Sequence, residues 1–263
     1  MSRIKKAFDN KKAFDNKKAF IGFLTAGDPS LEKTEEFIIE MERAGVALIE
    51  IGIPFSDPIA EGAVIQEANV RALSKEGGCT TDMVFDMVER VSKKVSVPLV
   101  FLTYLNPVFK YGYDAFCRRC EEAGISGLII PDMPYEECGE LLPFAKKYGV
   151  DIISLIAPTS SQRIKMIAKE ADGYIYLVSS MGVTGVRGEI TTDIAGIVQS
   201  IREVTDTPVA VGFGINTPKQ AAEYSGIADG VIVGSAIVKI IAEYGGNAGS
   251  YIYDYVSEMV NAL

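Results

Sequence analysis

The stretch 47–66, ALIEIGIPFSDPIAEGAVIQ, carries two carboxylates, Glu50 and Glu61, in positions that suit acid–base chemistry. Glu50 interrupts a short apolar run that reads as a buried strand. Glu61 follows in a turn that contains Gly52, Pro54, Asp57 and Pro58. A charge inside a buried strand is costly unless it is paired or used. Two carboxyl groups placed by one strand and its loop can divide the giving and taking of a proton. A structural ion pair is the alternative reading of the same residues. The chain has no histidine. That excludes Ser-His-Asp and Cys-His nucleophilic arrangements, and proton transfer falls to Asp, Glu, Tyr, Lys or Cys.

A second kind of chemistry is written in glycine. Three turns, 182–188 (GVTGVRG), 212–215 (GFGI) and 234–236 (GSA), follow the last three strand candidates. Glycine lets backbone N–H groups come close to an anion. GSAIVKII opens as a short apolar helix, so its N-terminus can face a phosphate. Tight turns without a ligand are the alternative. The G-x-G-x-x-G dinucleotide fingerprint is absent from the GFG turn.

These residues need a frame. Apolar runs at 19–25, 47–52, 98–104, 127–131, 151–156, 173–178, 208–213 and 229–234 read as strands. Helical patterns at 31–44, 63–74, 81–95, 113–123, 135–148, 161–170, 193–204, 218–225 and 248–263 lie between and after them. Continuous apolar strands indicate parallel strands covered on both faces. Eight strands alternating with helices predict one (β/α)8 TIM barrel domain over 1–263, with an extra N-terminal helix within 4–20. In that architecture chemistry sits where strands end. Glu50, Glu61, Tyr104, Asp132, Tyr176, Gly214 and Ser235 all fall at or just beyond such ends. A local repeat, KKAFDN at 5–10 and 11–16 and KKAF at 17–20, is too short for a solenoid and has no physical account. Met83 and Met87 lie beside Val84 and Val88 and are expected in the core.

Composition narrows the function. The 263 residues are 48% hydrophobic and 23% charged, which suits a globular protein with a sizeable core. A net charge of −9 argues against nucleic acid and anionic membrane as partners. No apolar run approaches the ~20 residues that span a bilayer, and no signal-peptide segment follows the Lys-rich start. Cys79, Cys117, Cys120 and Cys138 read as reduced thiols of a cytoplasmic protein. Cys117 and Cys120 form a C-x-x-C without a second pair, so no metal is expected.

IEIGIPFSDPIAEG, the GVTG loop, the VGFGI turn and GSAIVKII together resemble the alpha-subunit family of tryptophan synthase. AGDP, YLNPVFKYG and PDMP continue the likeness over essentially the whole chain. The resemblance implies cleavage of indole-3-glycerol phosphate to indole and glyceraldehyde 3-phosphate, without a cofactor. It also implies a pyridoxal-phosphate-dependent beta subunit as partner, in an alpha2-beta2 heterotetramer. It assigns Glu50 to proton transfer at the indole carbon and glycerol hydroxyl, and Glu61 to the second carboxylate that faces the indole N–H. Tyr176 matches a substrate-positioning tyrosine. Gly185, Gly214, Gly234 and Ser235 match phosphate-binding positions, and Phe23 and Phe213 the indole pocket. Thr184 matches a residue of the mobile loop that meets the second carboxylate on closure. Asp57 and the stretch 132–134 match segments near the beta-subunit contact.

Two departures stand out. The family usually reads A-D-G-P where this chain has Ala60-Glu61-Gly62-Ala63, and it more often has proline at the position of Gly22. Glutamate keeps the charge but adds a methylene, so the carboxylate must re-aim. That leaves a second reading, a ligand-binding subunit that regulates the beta chain with weak activity of its own. A third is another phosphate-binding barrel, an isomerase or aldolase. A Schiff-base aldolase would want a lysine inside a strand, and no predicted strand interior has one.

Overall fold

The computed structural model describes residues 2–11, 18–74, 77–178, 193–212 and 214–263. Nine strand segments form a single parallel sheet among them: β1 Ala19–Thr25, β2 Leu48–Gly52, β3 Leu99–Leu102, β4 Ile125–Ile129, β5 Asp151–Ile152, β6 Ser154–Ile156, β7 Ile175–Val178, β8 Val209–Gly212 and β9 Gly230–Val233. The spatial order is β5-β4-β3-β2-β1-β9-β8-β7-β6. The two ends of that order are halves of one strand, broken only at Ile153, whose N–H donates to the Leu128 carbonyl at 2.9 Å. The sheet therefore curls back on itself, and the expected eight staves of a (β/α)8 barrel are present.

Every residue of β1, β2, β4, β7, β8 and β9 is buried. Alternation sends Phe20, Leu24, Ile49 and Phe101 outward into the layer under the helices. It sends Ile21, Leu48, Val100, Tyr174, Tyr176 and Ile232 into the barrel. Helix α1, Arg3–Asn10, starts from the Ser2 cap and stoppers the N-terminal end of the barrel with Ile4 and Phe8. Parallel register sets Phe23 beside Glu50, and Glu50 beside Val100, near the opposite end.

The outer ring is helical: α2 Leu31–Arg43, α3 Ala63–Leu73, α4 Thr81–Val91, α5 Leu105–Tyr111, α6 Tyr113–Ala123, α7 Cys138–Lys147, α8 Ser161–Lys169, α9 Ile194–Arg202, α10 Pro218–Ser225, α11 Ser235–Tyr244 and α12 Gly249–Asn261. Most boundaries lie within a few residues of the sequence expectation. Helix α5 has no counterpart among the helical patterns read from the sequence, and it carries Pro107 in its first turn. Met83 corrects another expectation: it is exposed on α4, while Val84, Met87, Val88 and Val91 carry the buried stripe. Its position falls off the arc that faces the sheet. Cys117 and Cys120 are buried among apolar residues of α6, where desolvation pushes both thiols up.

Candidate active site

The C-terminal ends of the strands open into a cavity lined by Phe23, Glu50, Leu102, Ile129, Leu155, Tyr176 and Ile232 from inside the barrel. The loop after β2 adds Ala60 and Glu61 and helix α3 adds Ile65, while Gly214, Ile215, Asn216, Gly234, Ser235 and Ala236 close the far side.

Glu50 is 1% exposed. Tyr174 Oη donates to its Oε1 at 2.5 Å. Burial pushes the Glu50 carboxyl up to about 8, against the smaller downward pull of that hydrogen bond. Desolvation disfavours the charged form, so at neutral pH this group carries a proton it can give away. Tyr174 in turn lies against Phe8 of the barrel stopper, with ring centroids 5.8 Å apart. Two positions on, Tyr176 points the same way and lines the cavity. Its ring fits because position 212 is glycine: a Cβ there would come within 2.6 Å of it.

Glu61 is also buried. Asn69 Nδ2 donates to its Oε2 at 2.6 Å, and Gln66 Nε2 donates to its carbonyl at 2.8 Å. Both donors sit on α3, the helix that follows directly. The Ala60 N–H donates to Tyr104 Oη at 3.2 Å, which ties the loop to the end of β3. Burial pushes Glu61 up to about 7, offset in part by hydrogen bonds from Asn69 and Tyr104. Arg71, further along α3, grips the buried Asp28 through two bonds of 2.9 and 2.8 Å. That pair anchors the helix that holds Glu61 to the loop after β1.

The part of the cavity wall that follows β8 and β9 suits an anion. Helix α11 begins there, and among the described residues no side chain caps its Gly234 end. Its first N–H groups have no intrahelical acceptor, and the helix dipole adds positive potential. A Cβ at Gly234 would meet the Phe23 ring at 3.1 Å, so glycine lets backbone and ring pack closely. Gly214 adopts φ 89°, a conformation that disfavours other residues.

The structure thus brings together Glu50, Glu61, Tyr176, Phe23, Gly214, Gly234 and Ser235 around one cavity. Thr184, Gly185 and Phe213 lie outside the described residues. Asp57 stands apart on the exposed loop, bonded to Ser56 Oγ at 2.5 Å. Asp132 Oδ1 accepts the Leu105 N–H at 2.8 Å and so supports the start of α5. Sequence reasoning missed Tyr174, Asn69 and Asn216 as site residues. The period-2 alternation from Tyr176 was the available signal for Tyr174. Among the described residues no group of three or more Cys, Asp or Glu side chains gathers as a metal cage.

Fold and cavity together define a (β/α)8-barrel protein whose cavity is lined by two buried carboxyl groups and by the N-terminus of a helix. The tryptophan synthase alpha chain family model matches residues 8–260. The tryptophan synthase alpha chain of Lacticaseibacillus casei is 50% identical over 92% of this chain and 88% of its own. That of Lactiplantibacillus plantarum is 51% identical over 92% and 91%. The crystal structure of the Legionella pneumophila alpha chain superposes with TM-score 0.88 at 35% identity, covering 100% of this chain and 97% of that one. A chain of the Pyrococcus furiosus tryptophan synthase complex gives TM-score 0.85 at 33% identity, covering 93% and 99%. The chain belongs to the tryptophan synthase alpha chain family, and with it to the enzymes of tryptophan biosynthesis.

Proposed function

We propose that this chain is a single-domain cytoplasmic carbon–carbon lyase that cleaves indole-3-glycerol phosphate to indole and glyceraldehyde 3-phosphate. The observation that carries the reading is Glu50: a buried, proton-bearing carboxyl in a cavity whose other side offers backbone donors to an anion. Glu50 gives its proton to C3 of the indole, which makes the ring an electron sink through its nitrogen. The bond from C3 to the glycerol carbon then breaks. Its electron pair returns to the ring, the carbon becomes an aldehyde, and the hydroxyl proton goes back to Glu50. Glu61 faces the ring nitrogen and stabilises the positive charge that develops there. Tyr176 and Phe23 hold the ring, and the phosphate rests among Gly214, Gly234 and Ser235, to which the resemblance adds Gly185.

Several features favour this over the alternatives. Glu61 keeps a place in the cavity, bonded to Asn69, which supports a catalytic role over a purely regulatory one. No lysine lines the cavity among the described residues, which weighs against a Schiff-base aldolase. The partner in this reading is a tryptophan synthase beta subunit, in an alpha2-beta2 assembly. Ile59, 70% exposed on the loop after β2, and Phe109, 66% exposed on α5 after β3, are large apolar side chains beyond the strand C-termini, as a docking face there requires. Among the described residues no helix is long and apolar enough to cross a membrane.

The test is release of indole from indole-3-glycerol phosphate, measured with the chain alone and as beta subunit is titrated in. Glu50→Gln should abolish release and leave glycerol 3-phosphate binding intact. Release that survives Glu50→Gln would overturn the reading.

A further inference from the structure

The glycine side of the cavity contains two carbonyl groups that are already engaged inside the protein. The Gly214 carbonyl accepts from Asn216 Nδ2 at 2.8 Å. The Asn216 carbonyl accepts from Tyr255 Oη, on α12, at 3.0 Å. The Asn216 N–H donates to Gln220 Oε1 at 3.0 Å, and Gln220 also closes the capping box of α10 with Thr217. Asn216 is therefore fixed through its side chain, its carbonyl and its N–H, while both it and Gly214 line the cavity.

These bonds matter because a peptide beside glycine turns over readily. Gly214, at φ 89°, has no Cβ to resist the flip that exchanges a presented N–H for a presented oxygen. A carbonyl oxygen turned toward a phosphate would repel it. An N–H in the same place attracts it. A trans peptide directs its oxygen and its N–H to opposite sides. For the Gly214–Ile215 peptide, holding the oxygen on the Asn216 amide therefore fixes where the Ile215 N–H points. The N–H of the Asn216–Thr217 peptide donates to Gln220 Oε1 at 3.2 Å, so there the Tyr255 bond serves to hold the oxygen away from the ligand. Tyr255 adds a brace from the far end of the sequence, and burial pushes its phenol well up, so the donor proton is retained.

We propose that Asn216 and Tyr255 are positioning residues for the anionic tail of the ligand, keeping the carbonyls of Gly214 and Asn216 off it and the loop in its donor-presenting form. This rests on reading the glycine side of the cavity as the phosphate seat. Neither residue touches the reacting carbon. Their loss therefore acts on affinity for the tail rather than on bond cleavage.

The experiment uses the full chain with Tyr255→Phe and, separately, Asn216→Ala. Calorimetry reads glycerol 3-phosphate binding, and the indole-release assay gives KM and kcat. Each variant should weaken binding and raise KM by about three- to tenfold, the worth of one hydrogen bond, with kcat within about twofold. Tyr255→Phe removes one oxygen from a half-buried ring, so folding is retained, and thermal unfolding checks it. Wild-type affinity in both variants, a fall in kcat at constant KM, or a lowered melting temperature without an affinity change would overturn the proposal. Ser235→Asp in the otherwise native chain distinguishes loss of the phosphate seat from loss of its bracing. If wild type fails to bind glycerol 3-phosphate, or Ser235→Asp binds it equally well, the phosphate seat itself is misassigned. If Ser235→Asp loses binding while the two brace variants keep it, only the bracing falls.

Discussion

Tyr174 Oη donates to Glu50 Oε1 at 2.5 Å inside the barrel, where both residues are shielded from water. The bond and the burial act in opposite directions on the carboxyl. A donor favours the charged form, whereas desolvation favours the neutral one. Burial is the larger effect, which leaves Glu50 at about 8. Glu50 is thus a proton store at neutral pH, aimed by a phenol.

Removing that phenol oxygen has a definite sign. Tyr174→Phe takes away the group that lowers the Glu50 pKa, so the pKa rises. An acid-dependent reaction loses rate as its acid deprotonates, so the alkaline limb of the pH–rate profile should move to higher pH. The carboxyl also loses its aim, which should lower kcat roughly tenfold at neutral pH. A profile of kcat/KM between pH 6 and 10 checks both effects. An alkaline limb that stays in place, or moves toward neutrality, would contradict this role for Tyr174.

The same two carboxyls set a slope of stability against pH. Glu50 and Glu61 rise from 4.5 to about 8 and about 7 in the folded chain. Between 4.5 and those values the folded state holds protons that the unfolded state releases. Their contribution to stability is therefore fully present below about pH 4.5 and is lost as pH climbs toward 8. For Glu50 alone it is on the order of 5 kcal/mol. Urea unfolding at pH 5.5 and 8.5 should show wild type losing a few kcal/mol more than Glu50→Gln over that interval. Equal losses would mean that Glu50 is not desolvated as described.

The glutamate at position 61 can be tested by shortening it. Glu61→Asp withdraws the carboxyl by about one C–C bond, ~1.5 Å, from the Asn69 amide. The carboxylate then depends less on Asn69 and sits nearer the loop backbone. Indole release should stay within about tenfold of wild type, or rise. Asn69→Ala should cost more in the native background than in the Glu61→Asp background, and a double-mutant cycle on kcat reads the difference. A steep loss in Glu61→Asp would show a pocket built around the longer side chain.

Local signals made some of this structure legible and left other parts hidden. Strand β1 and helices α6 and α10 were readable to the residue, because each is bounded by unambiguous chemistry. Helix α6 ends at Gly124 with φ 85°, and α10 starts at Pro218 behind the Thr217 cap. Helix α5 was not readable. Pro107 looks like a breaker but lies in the first turn, where its missing N–H costs nothing. The Leu105 N–H is supported by Asp132 from a different loop, a contact no local pattern announces. The site divides similarly. Glu50, Glu61 and Tyr176 were visible as reactive groups at strand ends. Tyr174 and Asn69 gain their roles only through partners that folding brings to them.

Glycine at 212 is required by the ring beside it. Gly212→Ala would put a Cβ 2.6 to 2.7 Å from two ring carbons and the hydroxyl oxygen of Tyr176, so the ring must move. Overpacking of this kind costs about 1–3 kcal/mol. The displaced ring enters the cavity, so KM for indole-3-glycerol phosphate should rise as stability falls. Thermal unfolding with steady-state kinetics measures both. A variant with wild-type KM would show that the ring can move without entering the substrate space.

The barrel stopper offers the most remote test of the route to Glu50. Phe8 is 5% exposed and packs on Tyr174, and Tyr174 holds Glu50. Phe8→Ala leaves a void beneath Tyr174 and should destabilise the chain by about 3 kcal/mol or more. The consequence for catalysis is more specific. A phenol with space beneath it can leave its hydrogen bond, so kcat should fall while affinity for glycerol 3-phosphate stays as in wild type, because the anion seat lies at the other end of the barrel. Phe8→Leu fills most of the void and should recover most of the kcat. If Phe8→Ala lowers the melting temperature but leaves kcat unchanged, α1 is a stopper only, and the aim of Glu50 comes from the barrel wall alone.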